Sequence, residues 1–349
     1  MLDIELLRKI CKTPGAPGFE QRVRALVIAE LDGLVDEWRT DAMGNVIAIV
    51  KGRSPQRVMV AAHMDEIGFM VSHIDDDGFI RFHPLGGFDP KTLTSQRVIV
   101  HGKRDLIGVM GSKPVHLMRP EERSKSVPIE EYFVDTGLSK AVLDEIVTIG
   151  DPITREGDLI EMGDCVTSKS LDNRVSVFIL LETLKRLKGQ ELPYDLYAVF
   201  TVQEEVGIRG AISAAHHINP DFGFGLDVTI AFDVPGAQPH EMVTHLGKGT
   251  GIKVIDGRTI CDYRMVRYLK SIADEHQIQW QIEVLPKGGT DTAGIQRSGK
   301  NGAIAGAISI PLRHIHQTIE MAHKSDIQQT IDLLSHGLLQ LDQYDWSFR

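Results

Sequence analysis

The sequence predicts an α/β fold in which a mostly parallel sheet is sandwiched by helices and a small β domain is inserted. Two apolar runs near the N-terminus, VIAIV (46–50) and VMVAA (58–62), are typical of strands buried on both faces. From Leu171 onward, strands alternate with helices, which favours parallel pairing. The segment between these regions contains mainly short β-like pieces.

The N-terminal region begins with a predicted amphipathic helix, MLDIELLRKICK. Prolines and glycines in KTPGAPGFE end this helix, and a second helix is predicted from about Glu20 to Leu31. The strands at 46–50 and 58–62 follow. These two strands are too few to form a stable sheet alone, so we expect them to pair with strands from the C-terminal half.

The middle segment predicts a compact antiparallel β barrel or sandwich. Between about Gly68 and Asp164, the pieces GFMVSHI, GFIRF, RVIVHG and LIGVMG are separated by glycine, aspartate or proline. One short helix is predicted at Ser139–Ile146. We therefore predict an inserted β domain at 67–164, and a catalytic domain formed by 1–66 together with 165–349.

The C-terminal half supplies the rest of the predicted catalytic domain. In order, it contains helix DNRVSVFILLETLKRLK, strand LYAVFTV, helix IRGAISAAHHI, strands FGFGLDV and GIKVI, helix RMVRYLKSIADEH, strand IQWQIEVL, helix DTAGIQRSG, strand AIAGAISI and helix HKSDIQQTIDLLSHGLLQL.

Composition excludes several functional classes. The 349 residues are 42% hydrophobic and carry a formal net charge of -10, with no basic stripe for a nucleic-acid partner. The three cysteines form no CxxC pair, which favours a reducing compartment. No apolar run approaches the ~20 residues that span a bilayer, and the N-terminus lacks a signal-peptide pattern. We expect a soluble cytoplasmic protein with no membrane partner.

Polar residues follow the predicted strands where a parallel sheet places its ligands, beyond the carboxyl ends. Singly, each residue has a structural explanation: a core histidine, a turn or, for Asp172, a helix cap. Jointly, five caps and turns at one sheet edge are a poor explanation. The residues are His63 and Asp65 after VMVAA, Glu204 and Glu205 after LYAVFTVQ, Asp227 after FGFGL, His314 and His316 after AIAGAISIP, and Asp172 at the start of the long helix.

Imidazoles and carboxylates without thiolates indicate a divalent metal in an open catalytic site. Two histidines and three carboxylates exceed what one tetrahedral zinc requires. They suit two ions held ~3.5–4 Å apart and sharing one carboxylate.

The ordered motifs AAHMDEIGFMV, SLDNR, QEEVGIRGA, GLDVT, GGTDTAG and RHIHQTIE resemble the glutamyl-aminopeptidase-type metallopeptidases that assemble as tetrahedral dodecamers. The resemblance covers essentially the whole chain. It implies an aminopeptidase that removes N-terminal residues from short peptides, with two divalent ions per subunit, Zn²⁺ or alternatively Co²⁺ or Mn²⁺. It also implies a homo-oligomer, with the β domain in dimer contacts.

The resemblance further implies a role for each site residue. His63, Asp172, Glu205, Asp227 and His316 would bind the metals, with Asp172 shared between them. Asp65 would orient the His63 ring, and Glu204 would be the general base.

The last motif departs from the family, because His316-Gln317-Thr318 stands where relatives often have His-Ser-Pro. His314 is therefore the alternative ligand. Thr290 and Asp291 of GGTDTAG would either line the substrate pocket or form a turn and helix cap.

Three other functions are compatible with parts of the pattern. A two-metal deacylase or aminoacylase would use the same ligands. A glucanase would need two carboxylates and no metal, which leaves both histidines without a role. A catalytically silent scaffold is disfavoured, because none of the site positions carries an inert residue.

Overall fold

The structure, a computed structural model, describes residues 2–348. Within these residues the strands are β1 (Glu37–Thr40), β2 (Val46–Val50), β3 (Arg57–His63), β4 (Gly68–Ile74), β5 (Ile80–Leu85), β6 (Arg97–His101), β7 (Asp105–Gly111), β8 (Phe133–Asp135), β9 (Pro152–Arg155), β10 (Ile160–Met162), β11 (Cys165–Ser168), β12 (Asp195–Thr201), β13 (Phe222–Ile230), β14 (Thr250–Ile255), β15 (Trp280–Val284), β16 (Ile304–Arg313) and β17 (Glu320–His323). The helices are α1 (Ile4–Lys12), α2 (Gln21–Glu30), α3 (Pro120–Arg123), α4 (Lys140–Ile146), α5 (Leu171–Leu187), α6 (Arg209–Ile218), α7 (Tyr263–Glu275), α8 (Thr292–Ser298) and α9 (Lys324–Leu339).

A mixed sheet of eleven strands forms the larger domain. Its order is β1-β2-β12-β3-β13-β16-β17-β11-β10, with β14 pairing to β16 and β15 to β14. The four central strands, β12, β3, β13 and β16, are parallel, as the alternation of strands and helices predicts. On the flanks, the pairs β1–β2, β10–β11 and β16–β17 are antiparallel, because each is joined by a connection too short for a parallel crossover.

Helices cover both faces of this sheet, which confirms the predicted layered α/β fold. One face packs against α1, α2, α5, α7 and α9, and the other against α6 and α8. Helix α5 is buried on nearly every side, because α1 and α9 cover the surface that faces away from the sheet. This burial fixes the start of α5 against the carboxyl end of the sheet.

The smaller domain is a closed six-stranded antiparallel barrel of order β4-β5-β8-β7-β6-β9, as the middle segment predicts. Its separate core includes Phe69, which stacks on Phe88 with ring centroids 4.3 Å apart. All six barrel strands lie within the predicted insert 67–164. The same segment also contains β10, which pairs with β11 of the large sheet.

Within residues 2–348, no helix has both the length and the apolar character needed to cross a membrane.

Candidate active site

The carboxyl ends of the parallel strands bring the predicted site residues together. His63 is the last residue of β3 and lies level with Thr201, the last residue of β12. On the other side, Gly225 of β13 pairs with Ala61, so Asp227 lies two residues further along, level with His63. Strands β3 and β12 end at this level while β13 continues to Ile230, so the Asp227 side chain lies beside His63 where β3 ends and the cleft begins.

The ring of His63 is held on one nitrogen and faces carboxylates with the other. Its Nδ1 lies 3.1 Å from the carbonyl oxygen of Asp65 and 3.4 Å from Asp65 Oδ1. Its Nε2 lies 3.4 Å from Asp172 Oδ1 and 3.8 Å from Asp227 Oδ1. A proton on Nδ1 leaves the Nε2 lone pair directed into the cleft, as a metal ligand requires.

The second imidazole approaches the other oxygen of the same aspartate. His316 Nε2 lies 3.2 Å from Asp172 Oδ2 and 3.6 Å from Glu205 Oε2. Asp172 therefore presents one oxygen to each histidine.

Two groups of side chains have the spacing of a metal site, with candidate ligand atoms within 4.8 Å of one another. The first group consists of His63, Asp172 and Asp227. The second consists of Asp172, Glu205 and His316, so the two groups share Asp172. Glu205 Oε1 is buried without a hydrogen-bond partner, an arrangement that is costly unless a cation neutralises it. The donors are nitrogen and oxygen, so the residues fit zinc and similar divalent ions.

The electrostatics of the site show an excess of buried negative charge. Burial, reinforced by neighbouring carboxylates, raises the pKa of Glu205 to about 8. The same causes raise the pKa of Glu204 well above its usual range, and raise that of Asp227. Bound cations would relieve this repulsion and restore the ionised forms.

The two histidines show the opposite balance. Burial acts to lower the pKa of His316, but its hydrogen bond to Asp172 and the charge of Glu205 outweigh this and raise the pKa to about 9. For His63, the interactions of the ring with the carboxylates of Asp172, Asp227 and Asp65 likewise outweigh the effect of burial and raise its pKa. Without metal, both imidazoles therefore favour the protonated form, and a metal would compete with that proton.

Asp65 does more than contact the His63 ring. Its two carboxylate oxygens accept the backbone N–H groups of Glu204 and Glu205, each at 3.0 Å. Asp65 is fully buried. It therefore ties the loop after β3 to the turn after β12.

That turn explains why two adjacent glutamates can face one cleft. Strand β12 ends at Thr201, and Gln203 has a φ of 55°, so the backbone leaves extended geometry before Glu204. Glu204 lines the cleft, and its Oε2 lies 3.9 Å from His63 Nε2. It belongs to neither candidate metal group. The neighbouring Glu205 belongs to the group of His316.

Asp172 lies at the start of α5 but is not a helix cap. Asp172 and Asn173 have non-helical backbone angles, and the N-cap position is Ser170. The Asp172 N–H donates to Glu320 Oε2 at 3.0 Å, and Asn173 Nδ2 donates to the carbonyl of Leu226 at 2.9 Å. The side chain of Asp172 is thereby free to face both histidines.

Of the two candidate histidines in RHIHQTIE, only His316 reaches the cleft. His314 is exposed, whereas His316 lines the cleft and contacts Asp172. Both residues have positive φ, at 61° and 64°, so the strand geometry that would place them on the same side ends at Arg313.

Glu320 lies at the candidate site, although the sequence interpretation gave it no role there. Its oxygens accept the N–H groups of Asp172 and His316, at 3.0 and 2.9 Å, and the side chain is buried. Burial and Asp172 raise its pKa to about 8. The available signal was its position four residues after His316.

The cleft has a volume of about 880 Å³ and continues from the two groups of ligands along one wall. Thr290 lines this wall, while Asp291 is buried and accepts a hydrogen bond from Thr201 Oγ1. Asp291 occupies the N-cap position of α8 without making a side-chain capping bond. Other residues of the wall are Lys253, Gly257, Arg258, Leu285 and Lys287.

An α/β sheet with histidines and carboxylates gathered at its carboxyl edge, plus an inserted barrel, is the architecture of a metallopeptidase. The family model of the M42 glutamyl aminopeptidases matches residues 44–333, and the chain belongs to this family. It is a metal-dependent aminopeptidase, and hence a peptide hydrolase.

Named relatives support this assignment over nearly the full length. The lysyl aminopeptidase of Pyrococcus furiosus is 35% identical, covering 99% of this chain and all of the relative. A TET aminopeptidase from a marine sediment thaumarchaeon superposes with a TM-score of 0.94 at 35% identity, covering 97% and 96% of the two chains. The Pyrococcus horikoshii TET1 peptidase, which can assemble into a tetrahedron or a large octahedral shell, gives a TM-score of 0.87 at 32% identity, covering 97% and 99%.

Proposed function

We propose that the chain hydrolyses the first peptide bond of short peptides with a free N-terminus, using two divalent metal ions. His63 and Asp227 would hold one ion, Glu205 and His316 the other, and Asp172 would be shared. The observation that carries this proposal is the position of Asp172, whose Oδ1 and Oδ2 lie 3.4 and 3.2 Å from the two imidazoles.

The ions would supply a water of lowered pKa and polarise the scissile carbonyl. Zn²⁺, Co²⁺ and Mn²⁺ all accept this nitrogen and oxygen donor set.

Glu204 would be the general base. It is half-buried beside His63 but lies outside both groups of ligands, so its carboxylate stays available for proton transfer. It would accept the proton of the attacking water and deliver it to the leaving amine. Asp65 supports this role, because it holds the backbone N–H groups of both Glu204 and Glu205.

Assembly completes the proposal. By its family membership, the chain would form a closed homo-oligomeric shell such as a tetrahedral dodecamer, with the barrel domain at a dimer contact. A cytoplasmic location fits the reduced cysteines that the sequence indicates.

The decisive experiment compares Glu204→Gln with the wild type. We expect the variant to bind the same number of metal ions and to lose turnover by roughly 10²–10⁴-fold, the usual contribution of a general base. Glu191→Gln, a matched change at an exposed position, serves as the control and should keep full activity.

Metal content would be measured by elemental analysis, and activity on unblocked dipeptides beside N-acyl amino acids. Full activity of Glu204→Gln would disprove its role as base. Preferential cleavage of the N-acyl amino acids over the unblocked dipeptides would contradict the proposed reaction and favour a deacylase.

A further inference from the structure

The loop that carries His316 connects β16 to β17 and spans residues 314–319; we call it the His316 loop. It belongs to the large domain, but the barrel contacts it at two points. Arg155, the last residue of β9, donates from Nη1 to the carbonyl oxygen of His316 at 2.8 Å. Thr318 Oγ1 contacts Gln96 Oε1 at 3.1 Å, close to the start of β6.

The backbone of His316 is held on both sides by buried polar side chains. Its N–H donates to Glu320 Oε1, and its carbonyl accepts from Arg155. Arg155 is 3% exposed and Glu320 1% exposed. Because the two side chains approach opposite ends of one residue, they restrict the rotation of its peptide groups.

His316 needs such restraint. Its φ of 64° lies in the left-handed region, which residues other than glycine seldom adopt. A residue in this conformation is retained when surrounding contacts determine it. The same Glu320 also fixes the backbone N–H of Asp172, so one carboxylate sets the relative position of both candidate ligands.

Arg155 lies in a setting that suits a positioning role. Its guanidinium lies 5.7 Å from the centroid of the Phe88 ring, within the barrel, and its Nε is buried without a hydrogen-bond partner. Gly87, next to Phe88, is close to the His316 ring: a Cβ there would lie 3.7 Å from Cε1. The barrel thus contacts the backbone of His316 and lies close to its ring.

We propose that Arg155 and Glu320 form an interdomain clamp that positions His316, so that the barrel domain helps to set the metal affinity of the second site. This inference rests on the proposed role of His316 as a ligand. Both residues act through His316 and are positioning residues.

The test is metal titration of chelator-treated protein with Zn²⁺ and Co²⁺ by calorimetry, beside the visible absorption of bound Co²⁺. For Arg155→Met we expect one binding event to be unchanged and the other to weaken roughly 10–100-fold, as for other residues that orient a ligand. Arg155→Lys, which keeps the charge and one donor, should weaken it less. Glu320→Gln should weaken the same event and, because Glu320 also holds Asp172, which both groups share, the other event as well.

Arg22→Met is the matched control. Arg22 of α2 also joins the two domains, through an ion pair with Asp105 of the barrel at 2.6 Å, and within residues 2–348 its side-chain hydrogen bonds go to Asp105 and not to the His316 loop. We expect wild-type binding of both ions by this variant. Equal weakening by Arg22→Met would mean that general loosening of the domains, and not the clamp, is responsible.

Activity gives a second readout. Because the clamp acts through metal affinity, excess metal should restore the kcat of Arg155→Met toward that of the wild type. If Arg155→Met does not fold, the metal titrations of Arg155→Lys and Glu320→Gln test the clamp in its place. Wild-type affinities in these variants would overturn the clamp.

His316→Ala separates this inference from the proposed function. Loss of one ion by His316→Ala, with unchanged binding by the Arg155 and Glu320 variants, would refute the clamp alone. Retention of both ions by His316→Ala would refute the ligand assignment on which the clamp depends.

Discussion

Replacing Glu66 by glutamine is expected to destabilise the protein strongly, because Glu66 compensates two buried cations. Its oxygens lie 2.9 and 2.7 Å from Lys169 Nζ, and Oε1 lies 3.4 Å from Arg174 Nη2. All three residues are at most 1% exposed. After the substitution, Lys169 keeps the one remaining side-chain oxygen at position 66 and Ser170 Oγ, at 3.3 Å, as acceptors, but it loses the second acceptor and the negative charge that compensates it.

The magnitude follows from this geometry. Breaking a buried ion pair by removing one partner costs about 3–5 kcal/mol. An unfolding entropy of about 2.1 cal/mol/K per residue gives roughly 0.7 kcal/mol/K for the 349 residues. The thermal midpoint of Glu66→Gln should therefore fall by roughly 4–7 °C. Arg174 should hold its place, because it also donates to the carbonyls of Met64, Ile10 and Thr13.

The assay is thermal unfolding of chelator-treated protein, followed by tryptophan fluorescence and circular dichroism. Chelation is needed because Glu66 adjoins Asp65, and an altered metal affinity would otherwise contribute to the midpoint. The double variant Glu66→Gln/Lys169→Met removes the carboxylate together with its closest cation, leaves Arg174 with its carbonyl acceptors, and should recover at least half of the loss.

Two results would refute this reasoning. One is a midpoint of Glu66→Gln within about 1 °C of the wild type, far below the shift expected for a broken buried pair. The other is a double variant as unstable as the sum of the two single variants, since coupled residues should not be additive.

Three further predictions concern other parts of the molecule. The hydrogen bond from Arg22, with a further contribution from His101, lowers the pKa of Asp105 to about 2. The stabilisation by the ionised Asp105 should be present above pH 4 and disappear toward pH 2, so the thermal midpoints of the wild type and Asp105→Asn should converge as the pH falls over that range. A constant difference between the two midpoints would show that this ion pair is unimportant. Gly52→Ala would place a Cβ 2.0 Å from the carbonyl oxygen of Tyr194 and should cost about 1–3 kcal/mol in denaturant unfolding, whereas an unchanged midpoint would show that the backbone adjusts freely. Adding Zn²⁺ at about 100 times its Kd to chelator-treated protein should stabilise it by about 2.7 kcal/mol for each site, and a thermal midpoint that does not rise would argue against binding to the folded state.

The sequence predicts much of the fold because burial leaves a periodic signal. The run VMVAA corresponds to β3, in which six of seven residues are buried. Strand β1, EWRT, escapes prediction because all four residues are exposed and no apolar pattern marks them. The antiparallel flanks were not predicted, since pairing direction depends on partners that the local sequence does not specify.

In the candidate site, too, some features could be predicted from the sequence and others could not. Residues that follow recognisable apolar runs, such as His63 after VMVAA and Asp227 after FGFGL, could be located because the runs themselves predict strands. Lys169 and Glu66 are 103 residues apart and of types that are usually exposed, so their buried pairing had no sequence signal. The resemblance favours His316 over His314, and the backbone angles of the loop, which no spacing rule provides, explain why His316 and not His314 lines the cleft.

The two junctions of the inserted barrel lie beside the candidate metal cluster. Four residues, 64–67, separate His63 from the first barrel strand, and the last barrel strand ends at Arg155, which contacts His316. A barrel transplanted from a relative could not be treated as an independent module. A graft whose junctions change the orientation of the incoming barrel would disturb the candidate metal cluster before it disturbed either hydrophobic core. Libraries of chimaeras should therefore keep both junctions unchanged.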